Sequence, residues 1–575
     1  MSTNDASSRS TAPDLAAALF GADSRSELTG RWIVFFITLC LALAVLLLIR
    51  RPDALLNPQF WAEDGNLLFY QQFYGEASLL KPYAGYLIVL LRAVAKLADF
   101  PPVRYAPLIY NLAALVLASI CTAWFALPCF RHLIRDDKLR VLACLLIALM
   151  PSVGTVLLNL TNLQWYLHLW CCLLCLQPLP HGKGRFILFS VYLFFLFSST
   201  LTVILLPLWL LRALLLRQDR IPSLALSLIH LVYALLIKGW LPPPPASPGP
   251  TLALGALGST LKLLITRVGL MSILGPKVLE HLPHTRLTFL LAGIALLVLF
   301  ALWVWRSRSQ PRSLIQTAVF AYLIFSSVIL LVIIRTPRPP EDLYFTVGGA
   351  RYFFLATALF YIGLLNILDK LRSNRWIKYG AWGVFVALGF SVAKNIFFVQ
   401  SFEDLQWPRW AEGFEQARLS RARFPLDVPI NPRPWVIPGS GQLPPDTLSL
   451  AAPAGPSSSR DMEGAGRDWR SVGDHAVLNF ALGEKKYVYA LRLRYALGNR
   501  GTATCNAQLA WRSAPDQPFR HDADLQLLPA TGAEAVGQTI WILDGLKEFQ
   551  IGFKQSGCEM ELSEITLMVS PHALR

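Results

Sequence analysis

Eighteen consecutive residues, Trp32 to Ile49, read WIVFFITLCLALAVLLLI without a charge or a proline. A run of that length fits the roughly 20 residues with which a helix crosses a bilayer, where only intrasegment hydrogen bonds can satisfy the backbone. Before it, Met1 to Gly30 interleaves Arg9 and Arg25 with Asp5, Asp14, Asp23 and Glu27, so no basic n-region stands out. The run ends at Arg50 and Arg51 without a small-residue cleavage site and reads as a retained anchor. Further apolar runs at 106–128, 141–159, 164–179, 186–199, 202–216, 222–240, 287–305, 314–334, 353–368 and 379–399 bring the expected spans to eleven.

Composition agrees, since 54% hydrophobic and 15% charged residues are too apolar a balance for a soluble chain of 575 residues. A net charge of +16 would suit a nucleic-acid partner if it were spread along a surface stripe. Instead the cations gather in alternate short loops: Arg131 to Arg140, Lys183 and Arg185, Arg212 to Arg220, Arg306 to Arg312, and Lys370 to Lys378. The positive-inside rule makes these loops cytoplasmic and excludes a nucleic-acid reading. The N-terminus (1–30) is then cytoplasmic, and everything after Gln400 lies outside. This is the plan of a multi-pass protein of a bacterial-type inner membrane with a periplasmic tail.

The count requires that Leu79 to Asp99 does not cross. Arg92, Lys96 and Asp99 recur at helical spacing opposite Tyr83, Leu87, Leu90, Val94 and Leu97, so a lateral interfacial helix is expected in a first outer loop spanning 51–105. A second lateral or re-entrant helix is expected over Leu252 to Leu274, after the stiff LPPPPASPGP. Arg50 and Arg51, at the outer end of the first span, are expected to snorkel or to meet a phosphate.

The tail changes character. Residues 401–470 form a connector rich in Pro, Gly and Ser. Residues 471–575 carry seven short runs of strand composition, 476–482, 487–495, 502–511, 524–528, 539–543, 548–553 and 560–569, expected to build a β-sandwich of jelly-roll type. Cys505 and Cys558, the only tail cysteines, read as one disulfide. The clustered Cys171, Cys172 and Cys175 have no polar fourth ligand nearby and read as packing residues.

Within the first outer loop, FWAEDGNLLFY places Glu63 and Asp64 among apolar neighbours. A retained anchor, a long first outer loop with an acidic pair and lateral helix, about eleven spans and an outer β domain resemble the GT-C glycosyltransferase superfamily, which includes protein mannosyltransferases, lipid A aminoarabinose transferases and mycobacterial arabinosyltransferases. At residue level the resemblance rests on WAEDG. It implies a membrane enzyme that moves a hexosyl or pentosyl group, with inversion, from a polyprenyl-phosphate donor to an extracytoplasmic glycan, lipid or protein acceptor. It also implies Asp64 as the base that takes the acceptor's proton, with Glu63 in support. The pair is further a candidate site for a divalent ion, Mg or Mn; its alternative role is to cap the helix beginning near Gly65.

A departing phosphate needs a cation. Candidates are Arg351 beside Tyr352 in GGARYFF, Arg335 and Arg338 in the same loop, and Lys81 in LLKPYAGY, which also offers Tyr83. Asn162, Gln164 and Trp165 in NLTNLQW are candidates to bond and stack on a sugar or acceptor, and His168 reads as packed. Two further classes stay open: a glycan polymerase or ligase using a lipid-diphosphate donor and outer-loop Arg and His, and a glycan or lipid transporter.

Overall fold

The computed structural model describes residues 12–21, 29–150, 156–180, 182–199, 202–240, 251–274, 311–334, 349–370, 399 and, from 401 onward, all but 445, 452–455, 466–467, 473–474, 500–504, 506, 520–535, 555 and 573–575. The chain forms two compact units, one of residues 1–100 and 107–403, the other of 101–106 and 404–575.

The first unit is helical. Its main described helices are α1 (Ala12–Phe20), α2 (Gly30–Arg50), α3 (Val89–Leu97), α4 (Ala106–Ala123), α5 (Asp137–Ala148), α6 (Gln164–Leu176), α7 (Lys183–Leu196), α8 (Leu206–Leu215), α9 (Arg220–Trp240), α10 (Thr251–Leu263), α11 (Pro311–Ile334) and α12 (Phe354–Lys370). Among the described residues five helical stretches are long and apolar enough to cross a membrane: Gly30–Arg50, Val103–Ala126, Arg217–Ile237, Arg312–Val332 and Arg351–Lys370. The first exposes Ile33, Val34, Ile37, Leu41, Val45 and Ile49, an apolar face suited to lipid.

Four expected spans are shorter than supposed. The helices at 141–159, 164–179 and 186–199 have 12, 13 and 14 residues, and 202–216 is a 3₁₀ turn, Thr202–Leu205, followed by a ten-residue helix. At 1.5 Å per residue a helix of about 13 residues covers about 20 Å, short of a bilayer core of about 30 Å. For α6 the physical reason is burial: every one of its residues is inside the unit, so its apolar composition records protein packing rather than lipid contact. The expected spans at 287–305 and, except for Val399, at 379–399 lie outside the described residues.

The lateral segments also differ in detail. In α3 Arg92 is buried, its guanidinium donating to Gln71 Oε1 at 2.9 Å and to the Lys81 carbonyl at 3.2 Å, while Leu97 is exposed. The polar face expected at the interface is therefore split, with Arg92 inside and Lys96 outside. The second lateral segment is helical, α10 continuing into the π-helical turn Leu264–Leu270.

The second unit begins earlier than the sandwich was expected to. The supposed connector contains α13 (Trp407–Leu419) and the hairpin β1 (Val428–Pro429) with β2 (Val436–Ile437), and it buries Phe414, Phe424, Ile430 and Ile437. Its prolines and glycines punctuate a packed segment. Beyond it, β3 (Leu448–Ala451), β4 (Ser458–Arg460), β5 (Met462–Ala465), β6 (Asp468–Ser471), β7 (Val477–Asn499), β8 (Ala507–Arg512), β9 (Val536–Phe553) and β10 (Cys558–Val569) form one eight-stranded sheet. Its path is β5-β6-β10-β7-β9-β8, with β3 added to β10 and β4 to β7.

The described strands β3 to β10 hydrogen-bond as one antiparallel sheet, and the expected runs are joined differently within it. The runs 476–482 and 487–495 are one strand, as are 539–543 and 548–553, because β7 and β9 stay paired across register shifts between Ala481 and Lys486 and between Val488 and Ala490. Such irregularities bend a strand without ending it. Side chains from both ends, Leu478 and Phe480 with Leu491 and Leu493, enter one hydrophobic cluster. Cys505 and Cys558 are joined by a disulfide with Cα atoms 5.7 Å apart. The expected run 524–528 lies outside the described residues.

Candidate functional site

The acidic pair opens an unusual turn. Ala62 has φ +31°, and the chain then winds as a π-helix over Asp64–Phe69. Strained backbone and π turns both tend to aim a side chain where a regular helix would not. Here they send the two carboxylates to different partners.

Asp64 is 1% exposed and faces the start of the helix that leads into α6. Its Oδ2 accepts from the Leu160 amide at 3.0 Å, and its Oδ1 accepts from the Thr161 amide at 2.7 Å and from the Thr161 hydroxyl. Asn159 Oδ1 completes the cap, accepting from the Asn162 amide at 3.0 Å and from Asn162 Nδ2 at 2.7 Å. The first N–H groups of a helix have no partner within it, so a carboxylate there supplies both hydrogen bonds and a charge that suits the dipole. Asp64 is a capping residue, then, but of the helix at Thr161 and not of its own. Burial pushes its carboxyl up to about 7, against the Thr161 and Leu160 hydrogen bonds that pull it down and with a smaller push from the charge of Glu63.

Glu63 points elsewhere. Its Oε1 lies 4.0 Å from Arg351 Nη1, and its Oε2 is buried with no hydrogen-bond donor among the described residues. Tyr83, half-buried, stands beside both: its hydroxyl pKa is raised first by burial, then by the charge of Glu63, against the opposing charge of Arg351. Arg351 reaches this position from the 3₁₀ turn Ala350–Phe353, which Gly349 enters at φ +75°, a conformation glycine adopts at no steric cost. Its Nη2 donates to the Tyr352 hydroxyl at 3.2 Å, and the Tyr352 ring meets Trp165 edge-on at 5.8 Å. Glu63, Tyr83, Arg351, Tyr352 and Trp165 thus form one continuous cluster, drawn from three distant parts of the first unit. Its accessible edge is Arg351, with 27% of its side chain exposed, together with the two half-buried tyrosines.

The other expected site residues are not in reach in the same way. Lys81 is exposed and its ammonium donates to the Glu76 carbonyl at 3.2 Å. Asn162 is 1% exposed and occupied in the cap, while Gln164 is 6% exposed, on the first turn of α6. Arg335 and Arg338 lie outside the described residues.

The divalent-ion expectation does not fit the donors present. Both Asp64 oxygens are taken by protein hydrogen bonds, and no group of three or more His, Cys, Asp or Glu gathers among the described residues.

Arg50 and Arg51, expected at headgroups, are both fully buried. Arg50 donates to the carbonyls of Ala148 and Met150, at the end of α5, and Arg51 donates to the Leu157 carbonyl at 2.5 Å. The Arg51 guanidinium lies 3.3 Å from the centre of the Phe402 ring, which stacks on Trp61 at 4.9 Å. Sequence reasoning missed the partners of Thr161, Arg51 and Phe402 because nothing in their local spacing announces a partner about 100 or more residues away. The one available signal was NLTNLQW, a polar stretch opening an apolar helix.

No known family matches the chain, and neither a curated protein nor a solved structure matches it.

Proposed function

We propose that the chain is an integral membrane glycosyltransferase of GT-C type, with a cytoplasmic N-terminus and an extracytoplasmic second unit. It takes a sugar from a polyprenyl-phosphate donor and passes it to an acceptor hydroxyl with inversion. The supporting observation is the approach of Glu63, itself buried, to Arg351 at the accessible edge of the cluster, flanked by Tyr83 and Tyr352.

In this reading Glu63 replaces Asp64 as the base, because Asp64 is closed off by its cap and Glu63 keeps an oxygen without a donor. Glu63 accepts the proton of the acceptor hydroxyl as the oxygen attacks the anomeric carbon; the bond from that carbon to the phosphate oxygen breaks on the opposite face. Arg351 takes the charge that develops on the departing phosphate, and the proton on Glu63 returns to solvent. Asp64 positions Glu63 by holding the loop on the helix at Thr161. No metal step is needed or assigned.

Purified enzyme supplied with a polyprenyl-phosphate sugar and an acceptor glycan tests this. Glu63→Gln should lower kcat by a factor on the order of 10²–10⁴, the usual worth of a general base. Asp64→Asn should retain measurable turnover. Full transfer by a folded Glu63→Gln enzyme would overturn the base assignment.

A further inference from the structure

At the far end of α11 from its Ile334 terminus, a cavity of about 300 Å³ opens between three helices. Its walls include Leu15 and Leu19 of α1, Leu208 and Leu211 of α8, and Ile315 and Val319 of α11. That volume is at the lower end of ligand sites, which run from about 300 to 1,000 Å³, but the lining is almost wholly apolar and offers nothing to orient a polar molecule. The flank leads to lipid-type surface: Leu214, one turn beyond Leu211, is 74% exposed, and Leu210 is 41% exposed.

Charge is present at one end only. Arg312, Ile315, Val319 and Tyr322 follow one another at i, i+3, i+7 and i+10, so they lie along one face of α11, with the cation where the candidate span begins. Arg312 pairs with Asp14 of α1 at 3.2 Å, with side chains 62% and 48% exposed. An ion pair that open is weak and leaves the guanidinium available to a stronger anion. Helix α1 is a fixed wall: Gln316 Nε2 donates to the Ala18 carbonyl at 2.5 Å, His132 Nε2 lies 3.3 Å from the Leu19 carbonyl, and Arg212 sits 5.0 Å from the Phe20 ring centre.

We propose that this cavity is a binding site for one acyl chain of an anionic phospholipid, whose phosphate takes Arg312 while the chain runs along Ile315, Val319 and Tyr322. An apolar channel beginning at an exposed cation on the first turn of a membrane-length helix has the layout of a lipid headgroup followed by its tail. The proposal rests on α11 as a span and is independent of the glycosyltransferase reading.

Native mass spectrometry of the detergent-purified full chain, titrated with phosphatidylglycerol and with phosphatidylcholine of the same chains, tests it. Wild type should prefer phosphatidylglycerol, and Arg312→Gln should reduce that preference by up to about fivefold, the worth of an exposed charge contact. Ala318→Trp, which fills the cavity, should weaken both lipids by about tenfold or more. Leu211→Trp serves the same purpose from the α8 wall if the first variant fails to fold. Unchanged lipid binding by either filled variant with a wild-type Tm would overturn the proposal. So would competition by soluble glycerophosphate as effective as by the lipid, since the chain would then contribute nothing.

Discussion

The two units treat buried charge in opposite ways. Among the described residues the helical unit buries six arginines, at positions 50, 51, 92, 140, 212 and 267, along with Glu63, Asp64 and Asp219, and the sheet unit buries one charged side chain, Asp544. The difference follows from where each architecture leaves backbone groups unpaired. A sheet satisfies its own N–H and C=O groups along its ladders, and β7 does so with β9 and β10 on its two sides. A unit of short helices ends often, and each end strands several polar groups in a dry interior. Here the charges go to those ends: Arg212 to the carbonyls of Cys175 and Gln177 after α6, Arg50 to those of Ala148 and Met150 after α5, and Asp64 to the amides before α6. Cations sit at C-termini and the carboxylate at an N-terminus, the signs the helix dipole favours.

The largest effect should therefore come from Arg212. It donates to Asp219 Oδ2 from Nε at 3.1 Å and from Nη2 at 2.7 Å, in addition to its two carbonyls. Arg212→Ala leaves those carbonyls bare and removes one of the two arginines that hold Asp219, the other being Arg185 at 3.1 Å. A loss of about 3–5 kcal/mol is expected, read as a drop in Tm of the helical unit in detergent. A change below about 1 kcal/mol would mean the end-capping view overrates buried charge.

Asp64 carries the next effect, and its sign is unusual for a carboxylate. Its pKa is raised from 3.8 to about 7, so the folded protein binds a proton more tightly than the unfolded chain does. The stability this supplies is complete below about pH 4 and is lost as pH rises through about 7, a decline on the order of 4 kcal/mol at most. Wild-type Tm should fall across that window, and Asp64→Asn should flatten the fall. A parallel profile for the two proteins would show that Asp64 titrates in its ordinary range.

In the sheet unit, where the strand ladders satisfy most backbone groups, covalent and apolar links matter more. Cys505→Ser breaks the bond from Cys505, before β8, to Cys558, at the start of β10, and should cost about 2–4 kcal/mol, measured as loss of the unit's Tm under non-reducing conditions. Reductant should lower the wild type to the same value and leave the helical unit's transition in place.

These contrasts explain what the sequence could and could not reveal. The run from Trp32 to Ile49 and the alternation of Leu491, Arg492, Leu493, Arg494 and Tyr495 are local periodicities, and each appears as the expected element. WAEDG and GGARYFF were visible as odd polar insertions, and the structure brings Glu63 and Arg351 together. What stayed hidden depends on partners set by tertiary packing. Glu63 and Asp64 are indistinguishable by composition, and only the π turn assigns one to a helix end and the other to Arg351. The length of α6 was likewise hidden, because a helix buried in protein and one buried in lipid have the same apolar content. The continuity of β7 through Gly483 to Lys485 was masked by polar residues that interrupt the alternation at its bend.

The smallest effect is expected where the sequence was easiest to read. Arg492 and Arg494 lie on the exposed face of β7, opposite Thr566 and Glu564 of β10. Neither is tied to a buried backbone group, so Arg492→Gln should change the Tm of the sheet unit by an amount equivalent to about 0.5 kcal/mol or less. The same Arg-to-Gln change at position 212 removes a charge that caps a helix end and pairs with Asp219, and it should approach the full loss predicted for alanine. Equal responses at the two positions would break the comparison, since the cost of losing an arginine would then not depend on whether its unit leaves carbonyls to be capped.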